Sequence, residues 1–264
     1  MGPLWEPYLQ GTSLIHRLDP RLKLLAVLAL VLCATLVPAG RWLSLVALAL
    51  LLTVVLILSR LPLLAILRRT GIALPFVLLA ALSVPFARQG VPLWAWHLGP
   101  VSLAITREGL LALGTILARA WLALWAGALL IATTPLPDLQ HALWHLHVPP
   151  ILCSTISLMV RYLFVLVDEA SRLMSARAAR TAASDPATRH RTRLLWRARV
   201  LGGMVGSLLI RSLSRAEHIH AAMLARGYDG TPRALGALRW RPADSRAALL
   251  WAAALAGTLV PTLW

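Results

Sequence analysis

Long apolar runs separated by short polar breaks dominate the chain. The runs cover residues 24–37, 42–58, 70–86, 110–132 and 247–264. The first three hold about 14 to 18 residues each, near the lower limit for a helix that crosses a bilayer, so flanking residues must contribute. Ahead of the first run, Asp19 suits a helix N-cap and Pro20 the first helical turn. Residues 88–107, with Pro92, Trp94, Trp96 and Gly99, read as a loop at the membrane surface carrying an aromatic belt. After the break Thr133-Thr134-Pro135, Leu139, Leu143 and Leu146 recur at helical spacing, which predicts a short amphipathic helix at the interface.

Two long helical patterns follow, with a different character. Residues 151–180 start apolar and turn polar through Arg161, Asp168, Glu169, Arg172, Arg177 and Arg180. Arg161 favours a partly submerged cytoplasmic helix there over a sixth span. Residues 189–226 keep apolar positions at a spacing of three and four, among them Leu194, Ala198, Leu201, Val205 and Leu208. Gly202, Gly203 and Gly206 make a flat patch in this second helix. Because Gly202 and Gly206 share a face, the pattern predicts close crossing against the first long helix rather than a hinge.

Each long helix closes around an arginine. The first carries Ala176-Arg177-Ala178 ahead of the breaker Ser184-Asp185-Pro186, and the second ends Ala225-Arg226-Gly227-Tyr228-Asp229-Gly230. Gly just past a helix end takes the left-handed conformation that other residues resist. An Arg in the last turn is favoured by the helix dipole and projects its planar fork beyond the tip. One such Arg is ordinary capping. Two, in a chain otherwise made for lipid, suggest a docking device.

Composition fixes the class. Of 264 residues 59% are hydrophobic and 14% charged, where a soluble domain carries about a quarter charged. The fold class is all-α: a polytopic membrane protein with about five transmembrane helices and a cytoplasmic module of long coupling helices. The net charge of +16 comes almost wholly from Arg, since Lys23 is the single lysine. Residues 161–246 hold 16 Arg against six acids, which the positive-inside rule puts in the cytoplasm together with the N-terminus. The expected division is a membrane domain over 1–150 with four spans, coupling helices over 151–245 and a final span over 246–264. No cleavable signal is expected, because the first twenty residues lack an apolar core.

The remaining chemistry is sparse. His141, His145 and His147 have ligand-like spacing but no Cys or carboxylate converging on them, so no metal site is expected. His218 and His220 fall on different sides of a helix. Cys33 and Cys153 stand alone. Arg119, inside an apolar run, either snorkels or meets a carboxylate in the bundle. Aromatic residues among the basic ones are few, which argues against nucleic-acid binding. No phosphate loop Gly-x-x-x-x-Gly-Lys-Ser/Thr is present, and the spans hold no paired His or Asp and no internal repeat. Those absences weigh against the alternative classes, a self-contained secondary transporter or an intramembrane enzyme.

Leu18-Asp19-Pro20-Arg21-Leu22-Lys23 before the first span and the two Arg-centred helix ends give the chain a family likeness over nearly its whole length. It resembles the transmembrane (T) component of energy-coupling factor transporters, and its Ala-Arg-Gly-Tyr-Asp-Gly ending is most similar to the cobalt-transport branch. Ala178 departs from that pattern, which often has Gly in this place. The resemblance implies a non-catalytic subunit without cofactor, set in the cell membrane, with cobalt as the cargo. It implies two cytoplasmic ATPase subunits and a substrate-binding membrane subunit as partners. It also implies ATPase coupling through Ala176, Arg177 and Ala178 and through Ala225, Arg226 and Gly227.

Overall fold

The computed structural model describes residues 8, 11, 13–87, 91–98, 101–146, 148–182, 193–230 and 240–263. It divides into two compact units, Met1–Leu146 with Gly236–Trp264 and His147–Leu235. The final apolar segment thus belongs with the first unit.

In the first unit, α1 (Pro20–Leu36) starts where the sequence places it. The Asp19 carboxylate accepts from the Arg21 N–H at 2.9 Å, and Pro20 occupies a position whose N–H would have no partner. α2 (Trp42–Ser59) ends on left-handed Arg60. α3 (Leu63–Ala81) begins earlier than the apolar run at Thr70, running through Arg68 and Arg69, and is followed by the short α4 (Val84–Ala87). α5 (Arg107–Thr133) opens on Thr106, whose hydroxyl accepts from the Gly109 N–H at 3.2 Å.

α5 is the central helix, packing against α1, α2, α3 and α4. Leu122 and Ala126 of α5 join Leu30, Ala34, Leu45, Leu48 and Leu52 in the main buried cluster. Leu255 of α9 (Pro242–Leu263) completes it. The indole N–H of Trp251 also donates to the Ala26 carbonyl at 3.1 Å, tying α9 to α1.

α1 and α5 exchange cations at their ends. Lys23, in the first turn of α1, donates to the carbonyl of Thr133, the last residue of α5, at 3.1 Å, and to His16 at 3.2 Å. Arg119 of α5 donates to the carbonyl of Val37, the C-cap of α1. Each cation meets the negative end of the other helix and satisfies a carbonyl left open there. The partner of Arg119 is therefore a helix terminus and not a carboxylate. Lys23 is the more confined of the two, with 8% of its surface exposed.

Gly109 is required by close approach. A Cβ there would lie 2.7 Å from the Pro85 Cα and 2.8 Å from the Pro85 carbonyl oxygen, both backbone atoms that cannot turn aside. Gly109→Ala is expected to destabilise the first unit by about 1–3 kcal/mol, the usual range for overpacking. A thermal unfolding midpoint in detergent equal to that of the unmodified chain would refute this.

The stretch read as a surface loop is a β-hairpin. β1 (Pro92–Leu98) pairs antiparallel with β2 (Val101–Thr106), Trp96 opposite Leu103 and Leu98 opposite Val101, with an irregularity between Pro92 and Trp94. The signal was in the sequence: Val101-Ser102-Leu103-Ala104-Ile105-Thr106 alternates with period two and is rich in β-formers. Among the described residues the architecture is otherwise helical. α6 (Leu136–His145) packs against α1 with Ala142 buried, so its amphipathic face covers a protein surface.

The second unit contains α7 (Pro150–Ala182) and α8 (Arg193–Ala225); residues 189–192, also expected in the second long helix, lie outside the described residues. Among the described residues three helices are long and apolar enough to cross a membrane: α2, α5 and the Pro150–Arg180 stretch of α7. By length and composition alone α7 thus qualifies as a span, where the sequence reads it as partly submerged. One Arg does not outweigh the apolar residues from Ile151 to Val167.

Candidate coupling surface

α7 and α8 pair in antiparallel fashion, and the contacts that say so run along their length. Glu169 sits between two arginines, receiving Arg211 of α8 at 2.7 Å and Arg172 of its own helix at 3.2 Å. Toward the end of α7, the Arg177 guanidinium carbon lies 5.8 Å from the ring centre of Trp196, near the start of α8. Toward the start of α7, Ser154, Leu158 and Tyr162 face Ile219, Met223 and Tyr228 across a groove of about 350 Å³. The arginines of the Glu169 clamp are 71% and 60% exposed, so each pair is worth at most about 1 kcal/mol. The clamp sets register more than stability.

The α8 end is built as its sequence suggests. Gly227 has φ +77°, its N–H donates to the Leu224 carbonyl at 2.9 Å, and the Tyr228 N–H donates to the Met223 carbonyl at 3.0 Å. Those two bonds make a Schellman cap, which only a residue tolerant of positive φ allows. Arg226 occupies the C-cap and is exposed, as are Ala225 and Gly227. Tyr228 folds back as part of the groove wall.

Arg177 is half-buried, with Ala176 and Ala178 exposed on either side. It lies within the last two turns of α7, not at its tip, since the helix runs on to Ala182. Its stacking on Trp196 is a cation–π contact. Trp196 is thirty positions before Arg226 along α8, about 45 Å at 1.5 Å per residue. The two arginines thus occupy opposite ends of one helix pair.

The glycine patch does not behave as expected. A Cβ on Gly202, Gly203 or Gly206 would meet nothing within 4 Å. No described part of the chain crosses there, because α7 and α8 touch through long side chains such as Glu169, Arg211, Arg177 and Trp196. Close backbone approach is not needed for contacts of that reach.

The remaining candidates disperse. His145 Nδ1 lies 2.8 Å from the His141 carbonyl, so that pair is a local helix contact, and His147 lies outside the described residues. Among the described residues no three His, Cys, Asp or Glu side chains gather as a metal site would require. His218 is exposed on α8, whereas His220 lines the groove. The Glu169–Arg172 contact was legible from its spacing of three residues. Arg211 and Trp196 were not, since their partners are set by the pairing of two helices.

A family model described as cobalt transport protein, CbiQ, matches residues 11–235. The chain belongs to this family. As a transmembrane component of the energy-coupling factor type, it is similar to proteins bearing both names. The cobalt transport protein CbiQ of Rhodobacter capsulatus is 29% identical over 166 residues, 63% of this chain and 64% of that protein. The energy-coupling factor transporter transmembrane protein EcfT of Listeria innocua is 29% identical over 265 residues, covering 96% and 95%. EcfT of Heliobacterium modesticaldum is 30% identical over 244 residues, covering 89% and 86%. In this T component, the family match takes in both Arg-centred segments and the helix pair that holds them apart.

Proposed function

We propose that this T component is a non-catalytic coupling subunit of an ATP-driven importer, which passes motion from two cytoplasmic ATPase subunits to a separate substrate-binding membrane subunit. The observation that carries the reading is the placement of Arg177 and Arg226, about 45 Å apart along one stiff helix pair. One such arginine could serve one partner; two at opposite ends suit two like partners acting together. Residues 176–178 and 225–227 form the two contact points. Cobalt is the cargo favoured by the family description and by the name of the Rhodobacter relative.

The protein is set in the cell membrane with its N-terminus and the helix pair on the cytoplasmic side, as its charge asymmetry favours. The spans are α1, α2, α3, α5 and α9, and the apolar half of α7 lies against the membrane surface rather than across it, because its start pairs with the end of α8 that carries Arg226. Exposed Ile151, Met159 and Leu163 on that half favour contact with lipid or a membrane partner. Co-purification decides between a coupling subunit and a self-contained transporter. Two ATPase subunits should accompany the chain from membranes, and cobalt uptake should require them. Uptake by the chain alone would refute the reading. A reporter between Arg180 and Thr188 should read cytoplasmic and one between Gly90 and Gly99 external; reversal of either would overturn the topology.

A further inference from the structure

The coupling function leaves a double cavity in the first unit without a role. Its polar part, about 390 Å³, lies where the start of α1, the start of α6 and the start of α9 meet, with Arg17, Lys23, Asp138 and Arg241 on its walls. Its apolar part, about 400 Å³, lies between α1, α2, α5 and α9. Leu18 and Lys23 line both. A molecule that entered both parts would therefore pass the one lysine of the chain.

The polar part divides its groups into used and unused. Asp244 accepts from the Asp19 N–H at 3.1 Å and the Arg241 N–H at 2.9 Å, and Asp19 accepts from the Arg21 N–H at 2.9 Å. These carboxylates are occupied with backbone donors. Lys23 spends two donors on the His16 and Thr133 carbonyls and keeps a third. The Arg17 and Arg241 guanidiniums and the Asp138 carboxylate make no side-chain hydrogen bond or ion pair with a described residue. What remains open is two guanidiniums, one ammonium proton and one carboxylate. That set matches an anion and a cation carried by one molecule.

The apolar part adds the third requirement. Its α1 wall extends from Leu22 to Leu30, about 12 Å along the helix, most of the depth of one leaflet of a hydrocarbon core about 30 Å thick. Its other walls are Leu51, Leu129, Leu250 and like residues. Water in such a cleft would have no polar partner beyond the Lys23 end.

We propose that the double cavity holds one membrane phospholipid whose headgroup carries a primary ammonium, its phosphate between Arg17 and Arg241, its ammonium at Asp138 and one acyl chain in the apolar cleft. Lys23 lies at the junction, where the glycerol ester oxygens would offer its third proton an acceptor. A trimethylammonium headgroup has no N–H to give Asp138 and fits less well. A headgroup with only negative charge leaves Asp138 opposed.

Native mass spectrometry of the full chain in mild detergent tests this, with phosphatidylethanolamine, phosphatidylcholine and phosphatidylglycerol of matched acyl chains added in turn. One phosphatidylethanolamine per chain should be retained at least tenfold better than phosphatidylcholine. Asp138→Asn should erase that preference, and Arg17→Gln with Arg241→Gln should weaken retention about tenfold. Both changes are at exposed or half-buried side chains, so the fold should survive, as the thermal midpoint of each variant would report. Ala254→Phe, which fills the cleft, should expel the lipid without altering the polar part. Retention of phosphatidylcholine equal to that of phosphatidylethanolamine would overturn the proposal. So would a preference for phosphatidylglycerol, or equal competition by water-soluble glycerophosphoethanolamine, which would mean a phosphate site without an acyl cleft.

Discussion

Replacing Arg177 and Arg226 together with Ala is expected to strip both ATPase subunits from the purified complex while leaving the membrane unit folded. A charge-assisted hydrogen bond contributes about 1.5–3 kcal/mol, so losing one at each end lowers the affinity for each subunit by roughly one to two orders of magnitude. Each single variant should keep the partner at the opposite end, because the two residues lie far apart on the pair. Arg177→Ala also removes the stacking on Trp196, a contribution of about 0.5–1 kcal/mol at an exposed site. Arg177→Lys separates the two effects: it keeps the charge but loses the planar fork. ATPase subunits recovered in normal ratio with the double variant would end the docking assignment.

Asp244→Ala should be the most damaging single change in the first unit. Asp244 is 2% exposed and holds the Asp19 and Arg241 backbone N–H groups at the junction of α9 with α1. Removing the carboxylate leaves the buried Asp19 N–H unpaired and frees the Arg241 N–H at the start of α9. A buried donor without a partner costs about 1–3 kcal/mol, and the lost charge-assisted bond to the Arg241 N–H adds to it. The expected total of about 2–5 kcal/mol is a large part of a typical stability of about 5–15 kcal/mol. Asp244→Asn, which keeps one acceptor oxygen, should fall between. Thermal unfolding of the three proteins side by side gives the ranking, and an Asp244→Ala midpoint within a degree of the original would contradict it.

Much of this protein is set by local chemistry, and the chain states it openly. The Asp19–Pro20 helix start, the break after Thr133 and the Gly227 cap follow from backbone rules acting within a few residues. The largely helical membrane class follows from long apolar runs, and the two Arg-centred ends stand out because charge is rare in such a chain. The hairpin of β1 and β2 was equally local. Its period-two alternation was masked by tryptophans that also suit a membrane surface.

Tertiary structure decided whatever depends on which helix lies beside which. Sequence placed Arg119 in an apolar run, but only the antiparallel packing of α1 on α5 brings it to the Val37 carbonyl. The same packing makes Lys23 a buried cap on α5. Gly202 and Gly206 offer the spacing of a close crossing, yet α7 meets α8 through long side chains and leaves them open. The separation of Arg177 from Arg226 likewise comes from the antiparallel pairing of α7 with α8. Spacing along a chain fixes the face on which a residue sits. Only packing fixes what that face meets, because the partner comes from far away in sequence.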